Sequence, residues 1–360
     1  MKNKSAWFIL FGLVLAILLS GCQPKGEATA EDADSETPEA AADHPLSGKK
    51  VALIMQQNLG TFSAQYIAGV EEQVGKFGGS VTVFTSDGDL AKMASNLDAS
   101  INQEFDAILI DHGTKEALNQ GVERAVEQGI PVVAFDAGVD VDGVVSLEQG
   151  DQLMAELTLE KLAADHGGEA NIVKIWTAGF APMERRQVAY EQFLTDNPGI
   201  QEVTAFGAAT QNTALDTQAQ MEAVLKQYPE EGEITAVWAA WDEFAKGAVR
   251  AIEQAGRDDI KVYSIDMSDE DLQMIQKDGS PWAASAAVDP QDIGRIQVRY
   301  AYQLIGGETP EEQVTLEPIF IDADKLPETA VTTEELGEYI EGWGVSEQGY
   351  TTALEELEGR

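Results

Sequence analysis

Two hydrophobic rhythms alternate along the chain from Lys49 onward. Short apolar runs rich in valine and isoleucine occur at 51–55, 81–85, 107–110 and 132–135, and again at 172–176, 203–206, 236–239 and 262–265. Between them lie segments with apolar residues at helical spacing, such as FSAQYIAGVEEQVGKFG and KEALNQGVERAVEQG. Gly78, Gly129 and Gly256 each follow the last periodic residue, where a left-handed cap ends a helix. Strands that are apolar on both faces, each followed by a helix, predict parallel sheets covered on both sides. Roughly eight to ten such units are too many for one compact sheet, so the pattern predicts two similar α/β lobes.

In open α/β sheets, ligands bind beyond the carboxyl ends of the strands. The residues at those positions are Gln57, Asn58 and Phe62, then Asp87, Asp111–His112 and Asp136, then Trp176–Thr177, Asn212, Trp241–Asp242 and Asp266. They combine carboxylates, amides and aromatic rings. Arg186, in the first turn of the helix predicted for APMERRQVAYEQF, is the cation expected beside them. Sugars present a hydroxyl rim and apolar C–H faces, and this mixture of multidentate polar groups and flat rings suits both. Within TAVWAAWDEFAKGAVRAI, Asp242 is expected to cap the helix, Trp238 to lie in the core and Trp241 to line the cleft. Arg186 has an alternative in surface pairing with Glu184 or Asp196. His112 and His166 lack metal-ligand spacing and read as surface or loop residues, and no metal or cofactor is expected. Phe180 and Met183 are further residues that the same cleft could take.

The chain start adds a location. MKNKSAWFILFGLVLAILLSGC has a short basic start, an apolar run from Ala6 to Leu19 and a single cysteine, Cys22. That run is shorter than the roughly 20 residues a membrane-spanning helix needs. It reads as a signal segment, and LSGC is similar to the lipobox of lipoproteins, whose cysteine becomes the acylated first residue. Residues 1–21 are then the signal and residues 22–46 a disordered tether rich in alanine and acids. The charge of −40, from 23 basic against 63 acidic residues, opposes nucleic-acid binding and polybasic membrane contact. One cysteine allows no internal disulfide.

VVAFDAG, MERRQVAYEQF, AVWAAWDEFAKGAVRAIEQAG, VYSIDMSDE and VDPQDIG occur in an order and spacing that resemble the type I periplasmic solute-binding proteins of the ribose/galactose class. The resemblance covers roughly Lys49 to Ile321. It implies two Rossmann-like lobes, parallel sheets flanked by helices, joined by a hinge of three chain crossings. The first lobe would comprise 47–147 and 289–317, the second 148–288 and 318–340, with 341–360 a tail. Phe62 and Asp136 would contact a sugar from the first lobe, and Arg186, Asn212, Trp241 and Asp266 from the second. Asn58, Trp176 and Asp289 are weaker candidates. Compared with the family pattern, GTFS replaces an Asn-Pro-Phe-Phe turn, so a polar contact is lost at Gly60. An aromatic and an amide have exchanged places between Asn212 and Trp241, and Val288 stands where an amide is frequent.

Catalysis finds no support: G-x-S-x-G and H-E-x-x-H are absent from the sequence. The expected function is that of a monomeric, extracytoplasmic sugar- or polyol-binding lipoprotein serving an ABC permease, touching the membrane through its lipid alone. A sensory binding protein presenting a sugar or autoinducer to a membrane receptor is the alternative, and a surface glycosidase the remote one. The site groups are expected to face water when the lobes are open, so that truncating them leaves the ligand-free stability intact.

Overall fold

The computed structural model describes residues 44–360. The signal segment, Cys22 and nearly all of the tether lie outside them. Among the described residues, no helix is long and apolar enough to cross a membrane.

In chain order the first lobe contains β1 (Lys50–Met55), α1 (Gly60–Lys76), β2 (Ser80–Thr85), α2 (Leu90–Asn102), β3 (Ala107–Asp111), α3 (Lys115–Glu127), β4 (Val132–Phe135) and β5 (Val145–Gln149). The second follows with α4 (Asp151–Asp165), β6 (Ala170–Ile175), α5 (Ala181–Asp196), β7 (Ile200–Phe206), α6 (Thr213–Gln227), β8 (Ala236–Ala239), α7 (Asp242–Ala255), β9 (Lys261–Ile265), α8 (Asp269–Ile275) and β10 (Trp282–Ala287). Helix α9 (Pro290–Ile305) and strand β11 (Gln313–Leu316) return to the first lobe, and β12 (Ile319–Asp322) to the second. Two short helices, α10 (Thr333–Leu336) and α11 (Thr352–Glu358), end the chain.

The sheets run β11-β5-β4-β3-β1-β2 and β12-β10-β9-β8-β6-β7, parallel except for the β10–β12 pair. All eight apolar runs form strands. Side-chain alternation explains their continuous hydrophobicity. Val51, Leu53 and Met55 pack beneath α1 and α9, while Ala52 and Ile54 of the same strand pack against residues of α2 and α3. Both faces are dry, so no position of β1 after Lys50 calls for a polar residue. Helices α1 and α9 cross so closely that a Cβ on Gly69 would lie 2.1 Å from the Gln291 carbonyl oxygen, and one on Gly294 2.4 Å from that of Tyr66. Only glycine permits that approach on both sides.

Three crossings join β5 to α4, β10 to α9 and β11 to β12. They lie along the same edge of each sheet, the edge carrying β11 and β5 in one lobe and β12 and β10 in the other. A fourth passage follows. Trp343 is buried in the second lobe's core and its indole N–H donates to the Thr333 carbonyl at 2.7 Å. The chain then reaches the first lobe, where Arg299 holds the carbonyls of Ser346 and Gln348, and Leu354 and Leu357 of α11 join the core. The segment set apart in the sequence as a tail, 341–360, is therefore divided between the lobes, Trp343 packing in the second and α11 on the first.

At the second crossing, Asp289 caps α9 by accepting the Gln291 N–H at 3.0 Å. Burial, followed by the neighbouring Asp292 carboxylate, pushes its carboxyl up to about 7, against the pull of Arg295. A raised carboxyl stabilises the fold when protonated, a contribution complete below its unfolded value of about 4 and lost as pH rises through about 7. Asp289→Asn keeps the cap without the charge. Denaturant unfolding across pH 4–8 should show a flatter profile for the variant, with a gain over the parent at pH 8. Parallel profiles would remove Asp289 from the titration.

Candidate functional site

Where the strands of both sheets end, the lobes face each other across a cleft of ≈ 760 Å³, its open mouth included. The chain is built to aim side chains there. His112, Asp136 and Asp266 directly follow β3, β4 and β9 and take left-handed φ values of 61°, 46° and 74°. In each case the backbone N–H extends the ladder by one more bond, to Phe135, Leu147 and Ala286 respectively, before the chain turns. Non-glycine residues rarely adopt this conformation, and such strain is typical of functional sites.

Arg186 is fully buried on the floor. Its Nε donates to Asp151 at 2.7 Å, Nη1 to the Ala240 carbonyl at 2.7 Å and to Asp266 at 3.2 Å, and Nη2 to the other Asp266 oxygen at 3.3 Å. All these partners belong to the second lobe, so the pairs do not depend on closure. The expected alternatives, Glu184 and Asp196, are not its partners. Burial works against the guanidinium charge, but Asp266, Asp151 and Asp136 together raise its pKa further above the usual value. Burial raises the Asp266 carboxyl, as do Asp242 and Asp151, while Arg186 draws it down.

Asp136 comes from the first lobe and accepts from Gln149 at 3.2 Å and from Arg185 of the second lobe. Arg185 also pairs with Asp151 at 2.6 Å and Glu148 at 3.4 Å, bridging the lobes beside the hinge. Phe62 and Trp241 line the cleft as expected, and so do Phe180 and Met183. The Trp241 ring stands edge-on to Phe244 at 5.4 Å.

Other expected residues lie elsewhere. Asn212 is exposed beside a shallower depression next to the cleft, and the wall at that point is Ala209. The Thr210 N–H bonds the Thr213 hydroxyl and the Asn212 N–H bonds that of Thr210, which fixes the turn with Asn212 outward. Asn58 is exposed and Leu59 takes its place in the wall. Trp176 packs against the second lobe's core, its N–H donating to the Met183 carbonyl at 2.8 Å. Asp289 serves the hinge. Val288 joins the first lobe's core.

Two readings are corrected. His112 is not a surface or loop bystander: it lines the cleft, with Nδ1 2.7 Å from Asp111, and stands edge-on to Phe180 across the lobes at 6.1 Å. Asp242 does not cap α7. Trp241 is the N-cap residue, and Asp242, the first helical residue, accepts from the Glu243 N–H at 2.8 Å. Its carboxylate turns inward toward Lys246, 3.6 Å away and one turn on. Lys246 is itself buried, with Glu243 at 2.5 Å, Glu270 at 3.3 Å and Asp271 at 3.6 Å. Gly60 meets this cluster from the other lobe: a Cβ there would lie 2.3 Å from Glu243 Oε1. That position is a lobe-to-lobe seam. Trp238 is core, stacked on Tyr190 at 4.9 Å.

Burial opposes a charge on His112, but Asp111 and then Asp136 outweigh it and Arg186 only partly cancels them, so its pKa rises to about 9. The imidazolium contribution is complete below the unfolded value of about 6.5 and fades as pH rises through about 9. With the imidazolium facing the cleft as a charged donor, ligand affinity should hold from about pH 6 to 8 and decline above 9. His112→Gln, titrated by calorimetry over that range, should lose the decline. A decline of equal size in both proteins would assign it to another group.

Residues 51–309 match the periplasmic binding protein domain. The chain belongs to the periplasmic binding protein family. A crystal structure of a sugar ABC transporter from Yersinia enterocolitica subsp. enterocolitica 8081 is 34% identical, with a TM-score of 0.84 over 89% of this chain and 97% of that one. The 5-methylthioribose transporter solute-binding protein from Thermotoga lettingae TMO, in complex with 5-methylthioribose, is 38% identical, with a TM-score of 0.83 over 86% and 98%. The ribose import binding protein of Bacillus subtilis (strain 168) is 27% identical over 258 residues, 71% of this chain and 81% of the relative. These family members are solute-binding proteins, not enzymes, and the family works outside the cytoplasm. The two-lobed periplasmic binding protein fold expected from the sequence is the one present.

Proposed function

We propose that this periplasmic binding protein is the substrate-binding component of an ABC importer, anchored by an acylated Cys22, that clamps a monosaccharide or related polyol as a monomer. The observation that carries the ligand class is the floor of the cleft. The Arg186–Asp266 fork from one lobe and Asp136 from the other supply donors and acceptors, while Phe62, Phe180 and Trp241 supply flat apolar surface. Hydroxyls regain their hydrogen bonds from the first group, and C–H faces pack on the second. The named ligands of relatives, ribose and 5-methylthioribose, belong to the same class. Calorimetric titration with pentoses, hexoses and polyols tests the reading, and heat from none of them removes it.

The anchor rests on LSGC. Cys22→Ala should abolish labelling by a radioactive fatty acid and shift the protein from the membrane fraction to the soluble one, or leave an unprocessed precursor. Equal, unlabelled membrane association of parent and variant would remove the lipid anchor.

A further inference from the structure

The polar and apolar lining of the cleft is sorted by distance from the hinge. Crossing the first sheet from its hinge edge, the strand ends contribute Gln149, the last residue of β5, Asp136 after β4 and Asp111–His112 at β3. Only then comes β1, followed by Leu59 and Phe62. In the second sheet, β9 near the hinge contributes Asp266, whereas β8 and β7 farther out contribute Trp241 and Ala209. Arg186 reaches Asp266 and Asp151, so its charge also lies on the hinge side. The ionised side chains of the lining thus lie on the hinge side or at the middle strand β3, level with β8 and Trp241, and none lies in the outer half. In the other half the polar side chains are the uncharged Gln57, Ser63 and Thr177, and the Ser63 hydroxyl is already bonded to the Leu59 N–H at 3.2 Å.

A fully hydroxylated sugar carries hydroxyls around its entire rim. Placed here, those directed at Leu59, Phe62 and Ala209 would leave water without a partner, which penalises binding. A ligand with hydroxyls at one end and an apolar group at the other meets no such penalty. We infer that the natural ligand is a sugar or polyol blunted at one end by an apolar substituent (a deoxy, alkyl or alkylthio group), oriented with its hydroxyls toward the hinge. The inference rests on the sugar-binding reading above and narrows it.

The probes are D-ribose, 5-deoxy-D-ribose and 5-methylthio-D-ribose, titrated calorimetrically into the tether-free protein. Affinity should rise along that series, with the alkylthio sugar at least about tenfold tighter than ribose. Ala209→Ser adds one hydroxyl to the apolar half at a partly exposed loop position and should narrow the ratio by weakening the alkylthio sugar. A variant with Phe62→Ser should narrow it further. Ribose binding as tightly as the alkylthio sugar would overturn the inference while leaving the sugar-binding function in place, and so would a ratio unmoved by both variants. No binding by these three or by any pentose, hexose or polyol would overturn the broader function as well.

Discussion

Replacing Arg186 with alanine should cost the protein about 3–5 kcal/mol of stability even without ligand, and raise the ligand dissociation constant at least about thirtyfold. The first effect reverses what the sequence led one to expect. Groups at a cleft floor would face water in an open form, but Arg186 is buried and paired within one lobe, with Asp151, Asp266 and the Ala240 carbonyl. Removing the guanidinium leaves the buried Asp266 without its cation and Asp151 with Arg185 alone, whether the lobes are open or closed. Arg186→Lys supplies the control: it restores a charge without the planar fork, so it should recover part of the stability and little of the affinity. Urea unfolding and calorimetric titration of the three proteins decide the matter. Parental stability in the alanine variant would mean that the floor relaxes to let water in.

The second large effect is expected at Lys246. Lys246→Met should destabilise by about 3–5 kcal/mol at neutral pH, because Asp242 and Asp271 are then buried with no ammonium between them. Neither Asp242 Oδ2 nor Asp271 Oδ1 has a hydrogen-bond partner, so the cation alone compensates them. The loss should depend on pH. Burial, then the Asp242 charge, already raises Asp271 well above the usual carboxylate range. A raised carboxyl contributes most below its unfolded value and loses that contribution as pH rises, so acid should partly rescue the variant. Thermal melts at pH 5 and pH 8 should show a larger gap from the parent at pH 8. An equal gap at both would point to lost packing of the lysine stem instead.

How much of this was legible in the sequence follows from what each signal measures. Eight strands of the two sheets were visible because parallel strands bury both faces, and continuous runs such as VALIM and AILI have few other uses, whereas β5, β10, β11 and β12 were not among the runs. That Phe62, Asp136, Trp241 and Asp266 line the cleft was visible because topology puts the residues after a parallel strand at its edge. Asp111 and His112 occupied such positions too. His112 was set aside for lack of metal-ligand spacing, a criterion with no bearing on a histidine held against Asp111 in the cleft wall. Its neighbour Asp111 was the available sign. Arg186 was singled out from the sequence, and nothing in it separately marked its neighbour Arg185. Arg185 reaches across to Asp136 while Arg186 stays in its own lobe. Asn212 failed for a different reason. Two threonine hydroxyls set the turn before α6, and such local bonds leave no hydrophobic period to read.

The placement of all four interlobe passages has a mechanical consequence. If the lobes part about the edge where those passages run, the arrangement acts as a lever whose arm grows with distance from β5 and β10. Arg186 and Asp266, near the fulcrum, would sweep a short arc. The rim at the opposite edges, where the Gln211 amide meets the Asp87 carbonyl at 3.3 Å, would sweep the longest. Water would flood Leu59, Ala209 and Trp241 early in the stroke and reach the charged floor late. A rotation too small to disturb the floor would thus be magnified at the rim, the surface best placed to tell a membrane partner whether the cleft is loaded.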